Sequence, residues 1–208
     1  MRIEEVLNRL QRNLKNGLGA WETQKLMAPP YREKPDPKII QKKNPKLSAV
    51  MILLYEKEQN THVVLTQRHQ YDGVHSGQIS FPGGRHEQNE SMIETAIREC
   101  DEEVGIALTP LDIITTLSEV YIPPSNFLVT PVLAYLKEAP SFVKQESEVA
   151  SILELALPVL FDPMNKKDVE IQMKTGMSLK VPAYVINQHI IWGATAVMLS
   201  EFEQLLLE

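Results

Sequence analysis

The chain has a single cysteine, Cys100, in 208 residues. One thiol excludes an internal disulfide framework and suits a reducing compartment. No apolar run is long enough to span a bilayer. The opening stretch MRIEEVLNRLQRNL is amphipathic and mixed in charge, so it lacks the apolar region of a secretory signal. The closing EQLLLE carries no peroxisomal or retention address. These absences predict a cytoplasmic protein with no membrane partner. Excess positive charge is also missing, since the net charge is −6. Bulk nucleic-acid binding needs a basic surface, so that class, cap removal included, is disfavoured. A phosphorylated small substrate is not excluded, because a bound divalent metal can supply positive charge locally.

What is present reads as globular: 43% hydrophobic and 23% charged residues, in a length that suits one domain with a small extension. Ile3, Val6, Leu7, Leu10 and Leu14 have helical spacing, and the helix should end near Gly17. Residues 17–46, with five prolines between Pro29 and Pro45, predict an irregular strap. We therefore divide the chain into an N-terminal helix and strap, 1–46, and a main domain, 47–208. In the main domain, Leu47–Tyr55 and Thr61–Gln67 read as buried strands. Residues 68–91 read as a loop or short strands with a sharp turn. A helix follows at 92–104, with Ser91 and Glu94 as capping box and Gly105 as its stop. Ile113–Tyr121 and Phe127–Leu136 read as strands. Residues 168–173 and 179–186 read as a hairpin around Lys174-Thr175-Gly176, and Ala194–Leu207 as a last helix. Hairpins mixed with helices favour an α/β fold with a mixed sheet.

The chemistry concentrates in GRHEQNESMIETAIRECDEEVGI, residues 84–106. Glu99, Glu102 and Glu103 fall within an arc of about 100° on the helix. Ile93, Ala96, Ile97, Cys100 and Val104 form a separate apolar stripe. The helix can therefore bury one face and present three carboxylates on another. Clustered carboxylates repel, and a hard divalent cation such as Mg²⁺ would compensate them. Such a metal neutralises phosphate charge and acidifies an attacking water. Phosphoanhydride hydrolysis asks for little more, being mostly positioning and charge stabilisation. Arg98 could pair with Glu90 and hold the carboxylates in register. Gly83 and Gly84 would let backbone approach the metal or phosphate closely. A bare E-x-x-E-E run would ordinarily be a solvated surface.

The full spacing resembles the Nudix box, G-x5-E-x7-R-E-U-x-E-E-x-G-U. The matching residues are Gly84, Glu90, Arg98, Glu99, Glu102, Glu103, Gly105 and Ile106, with Cys100 at the first U place. Just upstream, LTQRHQYDGVHSGQISFPGG (65–84) is similar to the extra signature of coenzyme A pyrophosphatases. Leu65, Thr66, Arg68, Gly77, Gln78, Phe81, Pro82, Gly83 and Gly84 fit it, while His69 stands where a small residue is usual. VYIPPSNFLVTPVLAYL (120–136) and HIIWGATAVML (189–199) also look like this subfamily. The resemblance covers residues 47–207. It implies a Nudix α/β/α sandwich with a mixed sheet, preceded here by the N-terminal helix. It implies Mg²⁺- or Mn²⁺-dependent cleavage of coenzyme A or a derivative to 4′-phosphopantetheine and adenosine 3′,5′-bisphosphate. Glu99, Glu102 and Glu103 would ligate the metal. One of them, Glu102 or Glu99, would help deprotonate water, and Arg98 would belong to the catalytic set. Arg68, Gln78, Gly83 and Gly84 would bind substrate.

Other residues divide between function and structure. Arg68 and Arg85 suit phosphate contacts, though lone arginines are commonly surface. His75 lies in the coenzyme A-type loop and reads first as a polar contact, with a catalytic role as the alternative; Gln78 and Ser80 could bind substrate or satisfy a turn. Cys100 should pack, and Trp192 and Phe202 should be core. Glu146 and Glu148 read first as surface, with an extra ligand or base as the alternative. Two rival functions remain: a Nudix pyrophosphatase acting on ADP-ribose or a dinucleotide, and a non-catalytic nucleotide-binding module. Retention of all three glutamates and Arg98 argues against the module. The N-terminal helix could cap the site, dock elsewhere or serve a homodimer.

Overall fold

The computed structural model describes residues 1–69, 77–172, 176 and 178–207. The helices are α1 (Ile3–Asn13), α2 (Trp21–Gln24), α3 (Pro37–Lys42), α4 (Met92–Val104), α5 (Leu157–Leu160) and α6 (Gly193–Gln204). The strands are β1 (Lys46–Lys57), β2 (Asn60–Arg68), β3 (Ile79–Ser80), β4 (Gly83–Arg85), β5 (Ile113–Thr116), β6 (Val120–Ile122), β7 (Phe127–Leu136), β8 (Val149–Ala156), β9 (Lys166–Gln172), β10 (Ser178–Ile186) and β11 (His189–Trp192).

The main sheet runs β3-β2-β1-β7-β5, with β4 on β1, β6 on β7 and β8 on β2. Strands β1 and β7 are parallel and their neighbours antiparallel, so the sheet is mixed as expected. β1 is apolar almost throughout because both of its faces are covered. Ala49, Met51, Leu53 and Tyr55 pack toward α4 with Ala96, Cys100 and Val104. Ile52 and Leu54 face the other way, toward α1 and α6, with Val6, Leu10, Val197 and Phe202. The sheet between these helical layers is an α/β/α sandwich. A separate sheet, β9-β10-β11, leads into α6. No described helix is long and apolar enough to cross a membrane.

Several details depart from the sequence expectations. The strand expected at Ile113–Tyr121 breaks into β5 and β6. Between them, the Ser118 N–H donates to Glu201 (3.0 Å) and the Ser118 carbonyl accepts from Gln24 (3.2 Å), so this stretch leaves the ladder for side-chain partners. The strap is less irregular than its prolines suggest. It holds α2 and α3, the latter capped by Asp36, whose side chain accepts from the Lys38 N–H at 2.8 Å. β8 was not anticipated, because its partly buried pattern lacks a clean period. Nor was β11, which follows a turn with Asn187 at φ 55°. Trp192 is only partly buried, unlike Phe202. Of the turn expected at Lys174-Thr175-Gly176, the first two residues lie outside the described set.

The N-terminal helix docks away from the glutamate helix. Arg9 donates to the Leu206 carbonyl (2.7 Å), and Asn13 to those of Leu205 (2.9 Å) and Leu207 (2.8 Å). These bonds satisfy carbonyls left open where α6 ends. The strap is seated by Glu201, a carboxylate only 1% exposed. It accepts from the Ala20 N–H (2.7 Å), Gln24 (3.3 Å) and the Ser118 N–H (3.0 Å). A buried carboxylate with this many donors is satisfied rather than stranded.

Candidate active site

α4 is built as its sequence demands. Ser91 accepts from the Glu94 N–H (3.2 Å), and Glu94 accepts from the Ser91 N–H (2.7 Å). Gly105 ends it at φ 71°, the left-handed conformation glycine tolerates. Past this end, Val143 N–H donates to the Val104 carbonyl (2.9 Å) and Gln145 N–H to that of Glu103 (3.0 Å). Segment 143–149 is thereby pinned beside the helix C-terminus.

The three glutamates do not share one environment. They fan from buried to exposed, because neighbouring helix positions are turned by about 100°. The Glu102 side chain is 57% exposed and that of Glu99 13%. Glu103 lies beneath the loop at 4% exposure. One of its oxygens is 3.4 Å from both the Thr66 hydroxyl and the Gly83 N–H. The other is 3.5 Å from the Arg68 guanidinium. Burial pushes the Glu103 carboxyl up to about 7, against the pull of Arg68 and Gly83. Burial also raises Glu99, with Arg98 pulling it back.

Arg98 ties the exposed side of the cluster together. It grips Glu90 with two bonds (3.1 and 2.9 Å) and donates to Glu99 (2.9 Å), Glu102 (3.1 Å) and the Arg85 carbonyl (3.0 Å). The Arg98 bond holds Glu90 down at about 2. Arg98 thus spends its donors on carboxylates and backbone, which is the work of a positioning residue. Sequence reasoning missed two members of this network. Thr95 is fully buried and donates to Glu90 (2.8 Å), and the His86 ring lies 3.1 Å from the Thr95 hydroxyl. Only the i, i+5 spacing of Glu90 and Thr95 could have hinted at them.

The glycine turn makes a cradle. A Cβ built on Gly84 would fall 2.3 Å from the Glu99 carboxylate. One on Gly83 would fall 2.4 Å from the Ala49 carbonyl oxygen. Bare backbone is therefore required at Gly83, while a side chain at Gly84 would push the Glu99 carboxylate out of place. Gln78 sits behind Arg68, its carbonyl accepting from the Arg68 N–H at 3.0 Å. Glu146 is surface, 77% exposed at its side chain and paired with Lys144. Glu148 is exposed as well, but its charge adds a little to the upward push that burial exerts on Glu99 and Glu103. Cys100 is fully buried and its thiol is pushed up to about 12, which fits packing rather than reactivity. His75 lies outside the described residues.

Among the described residues, no three Asp, Glu, His or Cys side chains converge tightly enough to hold a metal as they stand. Arg98 instead holds one oxygen of Glu99 and one of Glu102. The donor set nevertheless fits a hard divalent cation. It is all oxygen, it sits against bare glycine backbone at Gly83, and its buried member Glu103 is balanced by one arginine at 3.5 Å and two long hydrogen bonds.

A capped helix that carries fanned carboxylates under a glycine turn is suited to metal-assisted phosphoanhydride hydrolysis, the chemistry of a class of hydrolases. The comparisons place the chain in it. The NUDIX domain family matches residues 45–164, more than half of the chain. The "uncharacterized Nudix hydrolase NudL" of Photorhabdus laumondii is 30% identical over 82% of this chain and 89% of its own. The mitochondrial Nudix hydrolase 15 of Arabidopsis thaliana is 29% identical over 73% of this chain, which spans about half (55%) of that protein. A MutT/nudix family protein from Enterococcus faecalis shares the fold, with a TM-score of 0.56 and 18% identity over 83% of this chain and 64% of that one. The chain belongs to the Nudix family, hydrolases of nucleoside diphosphate derivatives that generally use divalent metal ions such as Mg²⁺ or Mn²⁺.

Proposed function

We propose that the chain hydrolyses the pyrophosphate bond of coenzyme A or a derivative, giving 4′-phosphopantetheine and adenosine 3′,5′-bisphosphate. One observation carries this reading. The three groups that surround Glu103, namely Thr66, Arg68 and Gly83, all come from segment 65–84, the stretch similar to the coenzyme A signature. Those three residues of the segment therefore stand at the carboxylate site.

Glu99, Glu102 and Glu103 are the residues that would hold Mg²⁺ or Mn²⁺. When bound, the ion supplies charge neutralisation for the diphosphate and lowers the pKa of an attacking water. Arg98 orients Glu99 and Glu102 and keeps Glu90 ionised. Arg68 can offer its guanidinium to a phosphate oxygen, and Gln78 supports the Arg68 backbone. The backbone at Gly83 and Gly84 lets the diphosphate lie close. Glu148 joins Glu99 and Glu102 as a candidate to take the proton from water.

The test is a substrate panel of coenzyme A, acetyl-coenzyme A, ADP-ribose and NADH with Mg²⁺ or Mn²⁺, with products identified by mass spectrometry. Coenzyme A and its derivative should be split into the two named products. Brisk turnover of ADP-ribose with none of coenzyme A would replace this reading with the ADP-ribose one.

A further inference from the structure

The strap outside the matched family region builds a cavity of about 680 Å³ against the sheet. Its walls include Trp21, Pro35, Ile40, Leu47 and Leu128, with Lys34 at one side. The volume is that of an ordinary small-molecule site.

Three observations connect it to the glutamates. First, it shares a sheet face with them. Leu47 and Leu128 are register partners, two residues before the partners Ala49 and Thr130. Ala49 in turn pairs with Gly84, over which the Glu99 carboxylate lies. Two residues along a strand is about 7 Å, the reach of a nucleoside. Second, backbone bonds join the two places. His86 N–H donates to the Leu47 carbonyl (3.0 Å), and the neighbouring Arg85 carbonyl accepts from Arg98 (3.0 Å). Third, the strap is locally basic, although the cavity wall also holds Glu119, which accepts from the Thr130 hydroxyl at 3.4 Å. Residues 25–46 hold seven Lys or Arg and two acidic residues in a chain of net charge −6. Lys34 has no ion-pair or hydrogen-bond partner among the described residues, and the nearby Glu22 is bonded to Lys25. Glu201 anchors the strap, so the cavity wall is a packed element.

We infer that this cavity is a substrate subsite for a phosphorylated nucleoside, with the base against Trp21 and the apolar floor and a phosphate on the ribose facing Lys34. The inference rests on the coenzyme A reading for its substrate and deepens it: the extra phosphate would separate coenzyme A from dephospho-coenzyme A. Leu47, an apolar side chain of β1 that is 41% exposed, is then the floor the base would bury.

The full-length protein tests this in two ways. Calorimetry in EDTA should show adenosine 3′,5′-bisphosphate binding roughly tenfold more tightly than AMP, the scale of a bond to a charged group. Lys34→Ala should bring the two to equal affinity. Lys167→Ala, on the separate three-stranded sheet, should change neither. With Mg²⁺, Lys34→Ala should raise KM for coenzyme A roughly tenfold with kcat within about twofold, and leave dephospho-coenzyme A unaffected. If the bisphosphate preference holds but coenzyme A is not cleaved, the proposed function falls and the subsite stands. If coenzyme A is cleaved and Lys34→Ala leaves both measurements unchanged, or if neither nucleotide binds, the subsite is wrong.

Discussion

Replacing Glu103 with glutamine should move stability and activity in opposite directions. Glu103 is 4% exposed, and burial lifts its carboxyl from 4.5 to about 7. Between those values the metal-free folded chain holds a proton that the unfolded chain has lost. The folded state then binds more protons, so this group's contribution to stability falls as pH rises through the window. Above it, the buried charge costs the metal-free fold about 3 kcal/mol at most. Arg68 and the Thr66 and Gly83 donors already offset part of the burial cost. Glutamine keeps an oxygen for those donors and carries no charge. Urea denaturation in EDTA should find Glu103→Gln close to wild type at pH 5 and about 1–3 kcal/mol more stable at pH 8. With Mg²⁺, turnover of the substrate identified by the panel should fall on the order of a hundredfold or more, because the proposed metal ligand would be lost. The reasoning fails if the variant is less stable than wild type at pH 8, or if it turns over normally.

Gly84→Ala should leave the circular dichroism spectrum intact and cut turnover on the order of a hundredfold, since its Cβ would displace the Glu99 carboxylate; a wild-type rate would show that this cradle does not matter. Arg98→Lys keeps the charge but loses the two-pronged hold on Glu90. Glu90 is held down at about 2, so its contribution is present above its ordinary 4.5 and is lost as pH falls toward 2. The variant's stability deficit, read from denaturation curves between pH 2 and 7, should therefore be largest at pH 7 and shrink in acid. A deficit that is constant with pH would mean that Arg98 acts through packing alone.

Much of the fold could be read from local pattern. The capping box, the glycine stop and the apolar stripe of α4 are short-range signals, and each stands where it was expected. β1 and β2 declared themselves by continuous apolar runs. β8 and β11 did not, because their stability comes from partners on β2 and β10 rather than from a period of their own. The break between β5 and β6 depends on Glu201, 83 residues from Ser118, and no local window contains that contact.

Sequence alone determined the glutamate helix and the family, because the spacing of Gly84, Glu90, Arg98, Glu99, Glu102 and Glu103 is a local property of one turn and one helix. Tertiary structure decided how those residues differ. Burial under Thr66 and Gly83 separates Glu103 from the exposed Glu102. The bonds of Arg98 make it an organiser of carboxylates. Carbonyls at the end of α4 pin segment 143–149 beside the cluster, with Glu146 turned to solvent and paired with Lys144. Each of these depends on chain segments far apart in sequence, and on a low-dielectric surrounding that exists only once the sheet and its two helical layers have closed.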